Sequence, residues 1–120
     1  MSIVKLNLSG HENQALLRLG FMKPPTVQVD LNDPDLPQKL VAFLEQYLTS
    51  GDVAHVVFPG LAPLSRLMLV AIHGLTGTFP LEIRLVNGPT GFVPNLGTDL
   101  QQFRNWTCRV ARDDGNVVQL

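Results

Sequence analysis

Apolar positions in this chain fall into blocks whose spacing switches between the two-residue period of strands and the 3.6-residue period of helices. Ile3 to Leu8 reads as a strand closed by the loop signal Ser9-Gly10-His11. The cluster Ala15 to Phe21 is short and interrupted by Gly20, so it predicts at most a brief helix before Pro24-Pro25 stops it. Val27, Val29 and Leu31 alternate with Gln28 and Asp30, predicting a half-exposed strand near a sheet edge. Asn32-Asp33-Pro34-Asp35 is a turn and cap cluster. Leu36, Leu40, Phe43, Leu44, Tyr47 and Leu48 then share one helical face up to Ser50-Gly51.

Val53 to Phe58 is a continuous β-branched and aromatic run, the pattern of a central strand covered on both faces. Pro59-Gly60 breaks it. Pro63 to Thr76 is apolar almost all round, which predicts a helix packed between the sheet and something else, closed by Gly77. Leu81 to Val86 alternates again, and Asn87 to Gly97, rich in Gly and Pro, reads as a long loop. Thr98-Asp99 caps a last helix carrying Leu100, Phe103, Thr107 and Val110, and residues 113–120 read as a tail with a short edge strand at Val117-Val118. Strands alternating with helices predict an α/β fold, a mostly parallel central sheet of about four strands flanked by helices with right-handed crossovers.

Composition narrows the function classes. The 120 residues fit one domain, 1–120 including the tail. One cysteine excludes an internal disulfide framework and a Cys-based zinc site, and three scattered histidines point to no metal cluster, so neither metal nor cofactor is expected. A net charge of −1 argues against a duplex-DNA binder. No apolar run approaches the roughly 18 residues of a membrane span. The chain starts directly on a strand pattern with no signal peptide ahead of it, so a cytoplasmic protein without membrane partners is expected.

In an open parallel sheet, ligands lie outside the C-terminal ends of the strands. Three segments fall there: Ser9-Gly10-His11-Glu12 after Asn7, then Pro59-Gly60-Leu61-Ala62-Pro63, and Asn87 to Phe92. The first offers a hydroxyl and an imidazole beside a glycine. The second opens directly into a helix, whose free amides favour a phosphate. Each has a plain alternative, a simple turn or strand exit. No GxxxxGK[ST], GxGxxG or GxSxG motif is present, and Ser9 with His11, two residues apart without an acid partner, makes a poor nucleophile–base pair. His55 reads as a core histidine, His73 as a helix cap or interface residue, and Cys108 as packing.

Asn7-Leu8-Ser9-Gly10-His11, with Phe58-Pro59-Gly60-Leu61-Ala62-Pro63-Leu64 opening a helix that ends His73-Gly74-Leu75-Thr76-Gly77-Thr78-Phe79-Pro80, resembles a known family. These are small accessory proteins of type III CRISPR systems, grouped with CARF-related, Rossmann-like proteins and ring nucleases that handle cyclic oligoadenylates. The resemblance runs from Ile3 to about Phe92 and is weakest over Glu12 to Pro25 and after Thr98. It implies a single Rossmann-like domain in a homodimer, with cyclic tetra-adenylate across the two-fold axis. The implied ligand-binding set is Asn7, Ser9, Gly10, His11, Pro59, Gly60, Leu61, Ala62, Asn87 and Phe92, with Arg66 and Arg18 as charge supplements. Two roles follow: sequestration of the messenger, or metal-independent cleavage with His11 as the catalytic group. One histidine, one acid and no lysine in these loops are thin equipment for acid–base work, which favours binding. A Rossmann-like scaffold for another nucleotide or a protein partner is the third reading.

Overall fold

The computed structural model describes residues 2–25, 29–89 and 91–112. Strand β1 (Ile3–Asn7) leads into the short helix α1 (Gln14–Arg18) and helix α2 (Leu36–Leu44). Strand β2 (Val53–Val57), helix α3 (Ala62–Thr76), strands β3 (Leu81–Gly88) and β4 (Gly91–Asp99) and helix α4 (Leu100–Arg112) follow. One four-stranded sheet runs in the order β1-β2-β3-β4. β1, β2 and β3 are parallel, and β4 returns antiparallel to β3. The fold is α/β with a mixed sheet.

Membership of the sheet differs from the sequence expectation at two places. The strand predicted around Val27 to Leu31 is not formed in its described part, Val29 to Leu31; Val27 and Gln28 lie outside the described residues. Local bonding wins there: the Asp30 carbonyl accepts from the Asp33 amide at 3.1 Å and its carboxylate from the Asn32 amide at 2.9 Å. These bonds close a turn instead of extending a ladder. The second correction is Asn87 to Gly97, predicted as a loop and found in the β3–β4 hairpin. Its closing pair is Gly88 with Gly91, and Pro94 lies opposite Leu85 on the outer strand. Glycine at the turn and proline on an edge strand are compatible with a hairpin, so composition alone misleads here. The predicted helix to Leu48 also stops early, at Leu44, although Leu48 stays buried. The tail with its predicted edge strand lies outside the described residues.

Side-chain alternation divides the core by sheet face. Leu6, Ala54 and Val56 point to one face, under Leu36, Leu40 and Leu44 of α2 and Leu64, Met68 and Ile72 of α3. Both crossover helices therefore share one face, as successive crossovers of the same hand require. The other face carries Val57 and Ile83 beneath Leu16 and Phe21. Gly77 ends α3 in the left-handed region at φ 89°, and its amide donates to the His73 carbonyl at 2.8 Å.

From β3 the chain turns straight into β4, with no third crossover helix. Glu82, which shares a face with Val56, is accordingly only half-buried, and Arg84 and Val86 beyond it are exposed. The outward side of α3 is also open: Val70 is 69% exposed and Leu67 37%, where a second covering layer was expected. Helix α4, capped as predicted by the Asp99 carboxylate on the Gln102 amide, projects Phe103 and Trp106 into solvent.

His55 sits mid-strand beside Lys5 on the α1 face and is half-buried, not part of the closed core. Burial pushes its pKa below the ordinary histidine value, and the Lys5 charge lowers it further, against a smaller opposing pull from Asp99. The unfolded chain thus takes up this proton more readily than the native one. Stability from this source is present above the usual value of 6.5 and is lost as pH falls through the lowered folded value. Circular-dichroism melts at about pH 7.5 and about pH 5.5 should show a lower Tm at the acid end, and His55→Leu should shrink the difference.

Candidate functional site

The five-residue register of β1 on β2 sets Asn7 directly beside Val57, so both strands end at one level. The Leu8 amide donates to the Val57 carbonyl at 2.9 Å and carries the pairing one residue further. The loops that follow emerge together. The first is tied into a knot by Asn7, which is 1% exposed. Its Oδ1 accepts from the Ser9 amide at 3.1 Å and from Ser9 Oγ at 2.6 Å, while its Nδ2 donates to the His11 carbonyl at 3.0 Å. The His11 amide donates in turn to Ser9 Oγ at 3.2 Å. Gly10 completes the turn at φ 80°, a conformation that disfavours any side chain.

The second loop opens α3, with Leu61 as N-cap and Pro63 in the first turn. Ser65 Oγ donates to the Pro59 carbonyl at 2.7 Å, fixing the strand exit against the helix. Ser9-Gly10 and Pro59-Gly60-Leu61 stand side by side as a crest. A cleft of about 730 Å³ opens on the α2 side, lined by Ser9, Gly10, Pro59, Leu61, Phe43 and Met68 among others. A groove of about 630 Å³ opens on the β3 side, between Ser65, Arg66 and Leu69 of α3 and Glu82, Arg84 and Val86 of β3.

Of the residues singled out by sequence, Ser9, Gly10, Pro59, Gly60, Leu61 and Ala62 line one or both hollows. Asn7 stands behind them as a buried brace. Asn87 and Phe92 face each other across the hairpin instead of lying in a loop, and they line neither hollow. The Phe92 carbonyl accepts from Asn13 Nδ2 at 3.0 Å, which ties the hairpin to the residue capping α1. The exposed His11 joins its loop through backbone atoms, and its ring has no hydrogen-bond partner among the described residues. Arg66 borders the groove; Arg18, in the last turn of α1, borders neither hollow. His73 stacks on Phe79 with ring centroids 4.1 Å apart, and Cys108 is half-buried on α4. Sequence reading missed Asp30, Lys39, Glu82 and Arg84, whose only signal is a charge next to an apolar run.

Chemically, the crest presents backbone and small polar groups. Ser9 Oγ is engaged with Asn7, and among the described residues no carboxylate is hydrogen-bonded to the His11 ring. Among the described residues, no three His, Cys, Asp or Glu side chains gather as a metal site. No helix there is long and apolar enough to cross a membrane. No protein-family model, curated protein or solved structure matches the chain.

Gly60 separates folding from binding. A Cβ built on it meets nothing within 4 Å, and its φ is not positive, so the fold does not require glycine here. Gly60→Val should leave the thermal melt unchanged while its side chain stands on the crest. If the crest is a binding site, the variant should weaken binding of the cyclic tetra-adenylate that the resemblance implies by about tenfold or more, the equivalent of about 1.4 kcal/mol, as read by titration calorimetry.

Proposed function

We propose that the protein is a Rossmann-like, cytoplasmic nucleotide-binding module of the CARF-related kind. It binds a cyclic oligoadenylate, foremost cyclic tetra-adenylate, across a homodimer and lowers the free messenger by sequestration in type III CRISPR immunity. The observation that carries this reading is the crest of Ser9-Gly10 and Pro59-Gly60-Leu61 at the C-terminal ends of two parallel strands, with a hollow on either side. The resemblance of those same two loops supplies the ligand.

Several physical points support the reading. A crest built of small residues lets a ligand backbone approach closely. The open, apolar outward side of α3, with Leu67 and Val70, suits a second copy packed against it. Pairing two copies brings two sets of loop amides to one anionic ring, which lets fixed dipoles replace some of the cations a near-neutral chain lacks. Binding without turnover fits the unpartnered ring of His11. Cleavage would need that imidazole held against a ribose hydroxyl, and no side chain among the described residues is hydrogen-bonded to the ring to hold it there.

Labelled cyclic tetra-adenylate incubated with excess protein and a chelator should be retained intact. Linear products would instead make the protein a ring nuclease, and no retention would overturn the reading. His11→Ala should weaken retention by less than about tenfold, the scale of one hydrogen bond. If the protein cleaves through His11, the same change should cut the rate by roughly a hundredfold while binding persists. Sedimentation should report a dimer at micromolar concentration, and Val70→Asp should shift it to monomer without altering the circular-dichroism spectrum.

A further inference from the structure

The two hollows beside the crest carry opposite charge. On the α2 side the rim holds the Asp30 and Asp33 carboxylates and Lys39, over a floor that includes Leu40, Phe43, Leu64 and Met68. Lys39 is committed to Asp33 in an ion pair, and the hydrogen bond from Lys39, with one from the Asp35 amide, holds the Asp33 carboxyl below its usual range. Asp30 uses one oxygen to accept from the Asn32 amide at 2.9 Å, and its second has no partner among the described residues. On the β3 side, the lining includes two arginines, Arg66 and Arg84, and a single acidic residue, Glu82. Neither arginine is ion-paired among the described residues.

A phosphodiester is repelled from an acid-rimmed, apolar hollow and drawn to unpaired guanidiniums, which bind phosphate in a fixed fork. A nucleobase has the opposite needs: a flat apolar bed and a polar group at its edge. We propose that a nucleotide ligand straddles the crest with its phosphate in the Arg66–Arg84 groove and an adenine in the α2-side cleft, its exocyclic amine donating to Asp30. An ionised carboxylate is acceptor-only. It therefore complements the amine of adenine and repels the carbonyl that hypoxanthine carries at the same position. This assignment rests on the nucleotide reading above and adds the seat of each part of the ligand and the residue that selects the base.

Binding of cyclic tetra-adenylate and cyclic tetra-inosinate to the full chain separates the two hollows. The native protein should prefer the adenine ring by about tenfold or more, and Asp30→Ala should bring the ratio to within about twofold. Asp30→Asn keeps an acceptor for the Asn32 amide while presenting an N–H to the base, so it should turn the preference towards inosine. Arg66→Ala and Arg84→Ala should each weaken both rings by about tenfold, leave the ratio unchanged and flatten the salt dependence. An unchanged ratio in both Asp30 variants, or an altered ratio with unchanged affinity in the arginine variants, overturns the assignment and leaves the sequestration reading standing. If neither ring binds, that reading falls. Chemical shifts on adding 5′-AMP then decide the assignment: movement at Leu40, Phe43 and Met68 that 5′-IMP does not reproduce upholds it, and no movement overturns it.

Discussion

The parallel pairing of β1 on β2, buried on both faces at its C-terminal end, is the constraint on which the rest of the molecule depends. Val56 and Val57 point to opposite faces and are both almost fully buried, so β2 needs cover from two directions. One direction is supplied by α2 and α3 together, the other by the short α1 segment with Leu16 and Phe21. Ladder hydrogen bonds in the dry interior cannot be exchanged for water, so the register is held firmly. Because that register sets Asn7 beside Val57, the two loops that build the crest leave the sheet at the same height. A slip of β1 by one residue would offset them and would also turn Leu6 away from the core it shares with Val56.

The missing third crossover helix shapes the other half of the site. In a fully layered α/β fold, the strip of β3 beyond α3 lies under a helix and reads as buried. Here Glu82, Arg84 and Val86 keep access to solvent, and charged side chains are tolerated on a sheet face that remains open. The Asn7–Ser9–His11 knot works by a different route. Asn7 is almost completely buried, yet its amide oxygen and nitrogen are both bonded, so the loop gains a fixed shape with no orphaned polar group. A loop of that kind meets a ligand preorganised.

Elements dominated by burial were legible in the sequence. The unbroken run Val53 to Phe58 identified the interior strand, and Pro63 with Gly77 bracketed α3 to within a residue. Segments where local chemistry competes with tertiary pairing were not. Val29 to Leu31 obeys the strand period, but Asp30 and Asn32 supply their own turn bonds. Asn87 to Gly97 has the composition of a loop, yet Gly88 and Gly91 serve a hairpin turn and Pro94 an outer strand. That the loops after β1 and β2 emerge together was readable, because parallel strands end on the same edge of a sheet. Asp30 and Arg84 were not, since only the folded chain sets them on opposite sides of the crest.

Pro94 has a bearing on how two copies of the chain can meet edge to edge. Hydrogen-bonded and non-bonded pairs alternate from the turn at Gly88 and Gly91, so Pro94, opposite Leu85, falls in a non-bonded pair with its nitrogen turned outward. At that point the outer edge of the four described strands offers no N–H to a neighbouring strand. Two copies of a chain can zip together wherever an outer strand presents an unbroken row of N–H and C=O groups. An imino acid there breaks the row of donors that such a pairing would use.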